Sequence, residues 1–388
     1  MTRFPTRWLL LLLAAAACPA AAGAGEREEV LGPFLAEHWR LPVPAQGAPP
    51  EGFTPIEAAL DPASCGSCHP QQFADWQTTL HAGAYSPGFA GQLIEGPLAE
   101  RTERDACLTC HSPLVEQQRD AGLRAQGVVC VSCHVRSRQT FGPPRRAEAP
   151  AAPSPVPHAG FEARAEFQDA RFCAECHQFF DATAPGGKAI QNTFVEWQQS
   201  PQAARGETCQ SCHMPDRAHR WRGIHDPETV RAAVDVTLTP VGAGLEGPRL
   251  EAALVVNNRG VGHRFPSYVT PRVRVALWQE DASGRELPGT REEAWIARVL
   301  DFSDWSEISD TRIPPGESVK LDYARERAAG AAALVGRVTV DPDAHYRGVY
   351  QELVQTYSDE AALSQMREAL RRADAAVYVL REVRRPLR

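Results

Sequence analysis

The chain has 388 residues, a formal net charge of −7 and a moderate apolar content, enough for two domains of ordinary size. No basic footprint is present, which excludes a nucleic-acid-binding protein of the usual electrostatic kind. Past the N-terminal run, no apolar segment is long enough to cross a bilayer as a helix.

The N-terminus, MTRFPTRWLLLLLAAAACPAAAGAG, sets Arg3 and Arg7 ahead of an apolar stretch and a series of small residues. This is the pattern of an export signal over residues 1–24, with cleavage after Ala22 or Ala24. A lipoprotein signal with Cys18 as the lipidated residue ranks second, because Ala15, Ala16 and Ala17 lack the usual leucine before them. The mature chain is expected to be periplasmic or otherwise exported, as a soluble protein or one tethered by lipid alone. Residues 25–60, polar and proline-rich, read as an extended arm.

Residues 61–230 hold ten of the eleven cysteines, as five C-x-x-C pairs that each precede a histidine. The sets are Cys65, Cys68 and His69; Cys107, Cys110 and His111; Cys130, Cys133 and His134; Cys173, Cys176 and His177; Cys209, Cys212 and His213. C-x-x-C-H is the attachment signature of c-type haem: two thiols add to the two vinyl groups along one porphyrin edge, and the histidine supplies the proximal iron ligand. A zinc ribbon also uses C-x-x-C pairs, but it has no need of histidine after every second cysteine. Five covalently attached haem c groups are therefore expected.

Two stretches in this region read as helices. PQQFADWQTTLHAG is one, and NTFVEWQQSPQAA, broken by Pro201, is the other. Residues 141–157 are a low-complexity surface loop. Large aliphatic residues are sparse, so the haems themselves are expected to serve as the core of a mostly helical domain.

The sixth iron ligand separates a carrier from a catalyst. Methionine is nearly excluded: Met1 leaves with the signal, Met214 adjoins His213, and Met366 lies far along the chain. Seven histidines stand outside the motifs: His38, His81, His158, His219, His225, His263 and His345. If residues 69 to 81 are helical, the two α-carbons are roughly 18 Å apart, too far to grip one iron. His81, with Trp76 and Leu80 marking a buried face, is thus expected on a neighbouring haem. His219 and His225 follow the last motif where Pro215 and Gly223 let the chain wrap, and they join the distal set with His158. His38 and His345 read as structural.

From residue 231 to 388 the composition changes. VDVTLTPV, LEAALVVNN, RVRVALWQE, EAWIARVL, ESVKLDYA and LVGRVTV are short β-rich runs between turn signals, predicting an antiparallel β-sandwich. One or two helices follow, then AAVYVLREV as a last strand. The fold class is α+β: a haem-packed, mostly helical N-terminal domain, then a sandwich-like domain. Within the latter, His263 sits in GVGHRFPS, where Gly260, Gly262 and Pro266 can hold a side chain at a fixed angle. It is expected to reach over to ligate or abut a haem.

At CGSCHPQQFADWQTTLHA, GVVCVSCH and FVEWQQSP leading to CQSCHMP and HRWRGIHD, the chain resembles the multihaem cytochromes c of the c-552/c-554 group. NNRGVGHRFPSYVTPRV is similar to the G-H-x-F-P-T loop of some exported multihaem cytochromes, with Ser267 in place of the threonine. The resemblance implies periplasmic electron transfer, closely packed haems and mostly bis-histidine irons, with His81, His219 and His225 at distal-ligand positions. FVEWQQSPQAA lacks the histidine that follows tryptophan in the first segment.

Two functions remain open. The first is electron transfer through closely packed haems of low potential, with redox proteins, among them a membrane-bound electron-transfer complex, as donors and acceptors. The second is a multihaem reductase acting on a small nitrogen or sulfur oxyanion at a five-coordinate haem. Ammonia-forming nitrite reductases use a lysine-ended motif at the catalytic haem, and all five motifs here end in histidine.

Overall fold

The computed structural model describes residues 24–148, 155–180, 185–301, 304 and 306–387. The expected export signal, with Cys18, lies outside them apart from Ala24. Among the described residues no helix is long and apolar enough to cross a membrane.

The chain forms two compact units, and the division is more interleaved than a single boundary near residue 230. One unit draws on the chain up to Thr183, on Glu207–Arg222 and on Leu353–Ala369; the other draws on Ala184–Gly206, Gly223–Glu352 and the chain from Leu370 onward. Composition did not reveal this, because the segments that cross between units, such as Ala184–Gly206 and Leu353–Ala369, are short.

The first unit is a set of short helices and loops. Each cysteine motif lies on or beside a helix of one to three turns: Pro62–Gly66, Arg101–His111, Cys130–His134, Arg171–His177 and Cys209–His213. Four motif histidines end their helices, while His69 starts the helix Pro70–Gln77. Asp61 and Ser86 cap neighbouring helices through Ser64 N–H and Phe89 N–H, in the manner of short polar N-caps. Its aliphatic core is small: Val43, Leu114, Leu123, Val129 and Val131. Strands β1 (Val135–Arg136), β2 (Gln139–Gly142) and β3 (Glu162–Ala163) form a minor sheet, in which β1 and β2 pair antiparallel and β2 and β3 pair parallel.

Three expectations are corrected here. The arm begins as a helix, Ala24–His38, bent where Gly32 takes φ 72° ahead of Pro33, and Leu31, Leu35, His38, Trp39 and Val43 are buried. Composition pointed to a solvated arm, but its few apolar residues fall on one side of a helix. The helix after His69 stops at Gln77. The Thr78 and Thr79 hydroxyls donate to the carbonyls of Asp75 and Trp76, both at 2.7 Å, competing with further helical turns. His81 therefore stands in a turn, and Leu80 is 64% exposed while Trp76 is 8% exposed. Finally, FVEWQQSPQAA, as helices Thr193–Gln198 and Pro201–Ala204, belongs to the second unit.

The second unit is a β-sandwich. Its strands are β4 (Val234–Pro240), β5 (Arg249–Asn258), β6 (Arg272–Glu280), β7 (Glu292–Ile296), β8 (Arg298–Asp301), β9 (Ser306–Asp310), β10 (Ser318–Glu326), β11 (Ala333–Asp341) and β12 (Tyr378–Pro386). One sheet has the order β10-β5-β4 and the other β12-β11-β6-β7, while β8 and β9 form a separate hairpin. In β5, Leu250, Ala252, Leu254, Val256 and Asn258 are all buried, the period of two of a strand with one face inward. They meet Val273, Val275 and Leu277 of β6 and Leu334, Val338 and Val340 of β11. Gly336 permits this approach, since a Cβ there would lie 2.9 Å from Leu254 Cδ1. Helices Ala344–Thr356 and Glu360–Ala375 precede β12. Met366, expected with the β domain, belongs to the first unit and is fully buried.

Candidate functional site

All ten motif cysteines are unbridged thiols. They are nonetheless close to one another across motifs: Cys65 is hydrogen-bonded with Cys130, Cys110 with Cys176, and Cys173 with Cys209. The first motif thus adjoins the third, the second adjoins the fourth, and the fourth adjoins the fifth. Burial pushes the Cys133 thiol up to about 11, while the cross-motif hydrogen bonds lower Cys65, Cys110 and Cys209.

Two pairs of imidazoles face each other at a shared distance. The ring centroids of His81 and His177 are 6.2 Å apart, and those of His134 and His219 are also 6.2 Å apart. Two metal–nitrogen bonds of about 2 Å each, with a ring radius added at either end, span about 6 Å. Each pair therefore has the separation of two axial ligands on one ion. Among the described residues no three His, Cys, Asp or Glu side chains converge as a cage. Two histidines suffice only where a macrocycle supplies the other four nitrogens.

The rings are held in the neutral, ligating form. Burial pushes His81 down to about 3, and it pushes His134 and His177 to about 4, the latter despite its accessible surface. Orientation comes from backbone carbonyls that accept from Nδ1. His111 donates to Ala84 at 2.7 Å, His134 to Phe141 at 2.9 Å and His213 to Arg222 at 2.6 Å. His219 donates to Arg217 at 2.9 Å, His158 to Gly160 at 2.8 Å and His263 to Arg264 at 3.0 Å. A bond of this kind fixes the tautomer that leaves Nε2 to a metal. His158 is also near enough to His69 to act on its charge.

His225 departs from expectation. Its Nε2 donates to both carboxylate oxygens of Asp343, at 3.0 Å each, so the nitrogen that would ligate is engaged within the second unit. The reason is tertiary: Asp343 lies far along the chain, and the spacing after the fifth motif carries no sign of it. His38 uses its Nε2 on the Cys133 carbonyl at 2.9 Å, within ring contacts to Phe34, Trp39, Phe141, Phe167 and Phe172. His345 packs against Tyr346.

Several residues that motif reading missed build the site. Trp221 touches both His81 and His219, with centroids at 4.7 and 5.2 Å. Asp75, buried, accepts from His219 N–H at 3.1 Å and Arg220 Nε at 3.2 Å. Val128 N–H donates to the His81 carbonyl at 2.9 Å, and Trp76 Nε1 donates back to the Val128 carbonyl at 2.8 Å. Gly127 has φ +67°, and a Cβ there would lie 2.4 Å from the His81 carbonyl oxygen; the glycine of GVVCVSCH is thus needed to seat His81. Phe89 stacks on the His111 ring at 4.8 Å. Trp39 Nε1, Arg124 Nε and Arg164 Nε are buried donors without a protein partner, suited to the propionate edge of a porphyrin.

Paired imidazoles among free C-x-x-C thiols are the arrangement that covalently attached haem c would require. Residues 64–135 match the family model described as cytochrome c554 and c-prime. The structure is similar to the crystal structure of a penta-heme cytochrome c552 from Thermochromatium tepidum, with a TM-score of 0.61 and 20% sequence identity, over 86% of this chain and 100% of that one. No curated protein matches the sequence. Over residues 64–135 the chain is thus similar to the cytochrome c554 family, and its fold is that of the penta-heme cytochrome.

Proposed function

We propose that the protein is an exported pentahaem cytochrome that passes electrons between redox proteins through closely packed, mostly bis-histidine haems. The observation that carries this reading is the pair of 6.2 Å ring separations, His81 with His177 and His134 with His219. On this reading the ten motif cysteines hold the haems, and His69, His111, His134, His177 and His213 are the proximal ligands. His81 would serve the iron of His177, His219 that of His134 and His158 that of His69. Haem supplies the one-electron couple; the chain supplies axial imidazoles that favour low potential and an enclosure that keeps the rings dry. The adjacency of thiols from different motifs supports short gaps between haems. Export rests on the N-terminal signal pattern and on the oxidising compartment in which c-type haems are attached.

Mass spectrometry of the mature protein tests the count: five covalent haem additions are expected, and fewer additions with bound zinc would refute it. EPR tests the role. Mainly low-spin ferric signals are expected. Dominant high-spin signals together with turnover of nitrite or hydroxylamine would favour the reductase instead.

A further inference from the structure

Residues 217–222, which follow the fifth motif within the first unit, bear on several imidazoles of that unit at once. The His219 ring lies 6.2 Å from that of His134. The Trp221 ring stands nearly perpendicular to two imidazoles, at 74° and 4.7 Å to His81 and at 83° and 5.2 Å to His219, an edge-to-face arrangement that aromatic rings favour. The Arg222 carbonyl accepts from His213 Nδ1 at 2.6 Å. His81 in turn faces His177 at 6.2 Å. Trp221 thus touches one ring of each facing pair.

The backbone here is strained. Trp221 takes φ 41°, a left-handed conformation that a bulky side chain adopts only where its surroundings hold it, and Asp216 at 55° and Arg217 at 62° lie in the same region. The hold comes from the helix Pro70–Gln77 and the turn after it. Buried Asp75 accepts from the His219 N–H at 3.1 Å, from Arg220 Nε at 3.2 Å and from Gln71 Nε2 at 3.0 Å. Arg222 Nη2 donates to Thr78 Oγ1 at 3.2 Å. These bonds fix the chain on both sides of Trp221, and the indole then has the His81 and His219 rings as two of its walls. A wall that moves frees the indole, and a freed indole no longer backs the other imidazole.

We propose that Trp221 is a positioning residue shared by His81 and His219, and that it couples the axial ligation of the two haems those histidines serve. The proposal rests on the reading of both as distal ligands, and the experiment separates the two. Cyanide, which competes with an axial imidazole for ferric iron, is titrated into the full-length holoprotein and followed by EPR and Soret absorbance. His81→Ala and His219→Ala assign one low-spin signal each, and the signals that neither changes serve as the control of fold. Trp221→Leu should tighten apparent cyanide binding at both assigned haems about tenfold, the scale of an outer-sphere loss, and leave the control signals as they are. His219→Ala should tighten cyanide binding at the haem served by His81, and His81→Ala at the haem served by His219, because a coupling free energy acts in both directions. In the Trp221→Leu background that mutual effect should vanish. Asp75→Ala frees the segment without touching either ring and should act like Trp221→Leu, including where the latter fails to fold.

If either His81→Ala or His219→Ala leaves every haem low-spin, the ligand reading falls and the proposal with it. If each opens its own haem but Trp221→Leu and Asp75→Ala leave cyanide binding as in the parent, both ligands stand and their positioning by Trp221 is overturned. If Trp221→Leu loosens both haems yet neither histidine variant affects the other's haem, the coupling is overturned. Equal shifts in the control signals would also overturn the proposal, because a general loosening of the unit would then account for the effect.

Discussion

The imidazoles of His81 and His177 face each other at 6.2 Å, although one follows the first haem motif and the other closes the fourth. On the proposed reading, the distal ligand of one haem would come from the segment that follows the attachment motif of another. His81→Ala is expected to convert one low-spin haem to high-spin. His219→Ala should convert a different one, and the double variant both. If the two single variants erased the same EPR signal, this pairing would be wrong.

Gly127 is expected to be intolerant of any side chain. At φ +67° and with a Cβ position 2.4 Å from the His81 carbonyl, Gly127→Ala must either strain the backbone or push His81 away. A loss of about 1–3 kcal/mol is expected from the strained conformation, read as a lower melting temperature. The Soret band of one haem should move with it. A variant as stable as the parent, with unchanged spectra, would contradict the tight seat assigned to His81.

Gly336 sets the spacing of the two sheets. Gly336→Ala brings a methyl group to 2.9 Å from Leu254 Cδ1 and to 3.3 Å from Leu277 Cδ2, an overpacking that costs about 1–3 kcal/mol. Denaturant unfolding followed by tryptophan fluorescence should show the midpoint falling, with Gly336→Val worse than Gly336→Ala. Equal midpoints for all three proteins would mean that the sheets part more easily than their packing indicates.

His345 makes the second unit sensitive to acid. Burial, with Arg272 adding to it, pushes the ring down to about 4 from 6.5. The folded state keeps it neutral while the unfolded chain protonates it near 6.5, so its contribution to stability is full above about 6.5 and is lost as pH falls towards 4. The loss at pH 5 relative to pH 7 is about 2 kcal/mol. His345→Gln should remove that part of the pH dependence. A slope identical to that of the parent between pH 7 and pH 5 would reject this origin.

The five C-x-x-C-H motifs mark, from spacing alone, where haem is expected to attach and which histidines would lie beneath the irons, because vinyl addition and proximal ligation both act within five consecutive residues. The β-rich runs likewise marked the sandwich strands, since alternation along a strand is a local pattern: Leu250, Ala252, Leu254 and Val256 all turn inward as their spacing requires. Distal partners have no such signature. His225 and His219 follow the same motif, yet Asp343 engages the first, while His219 comes to lie opposite His134. The outcome turns on which distant residue lies within hydrogen-bonding reach, and that is set by how the chain returns on itself. The same holds for residues 184–206, which join the sandwich unit through Glu196 on Arg312 and Lys188 on Asp310, and for Gly127, whose lack of a side chain acquires its meaning only once His81 has folded against it. Covalent chemistry over a few residues is written in order along the chain; axial pairing, buried ion pairs and close approach are properties of separation in space, which only the packed tertiary structure defines.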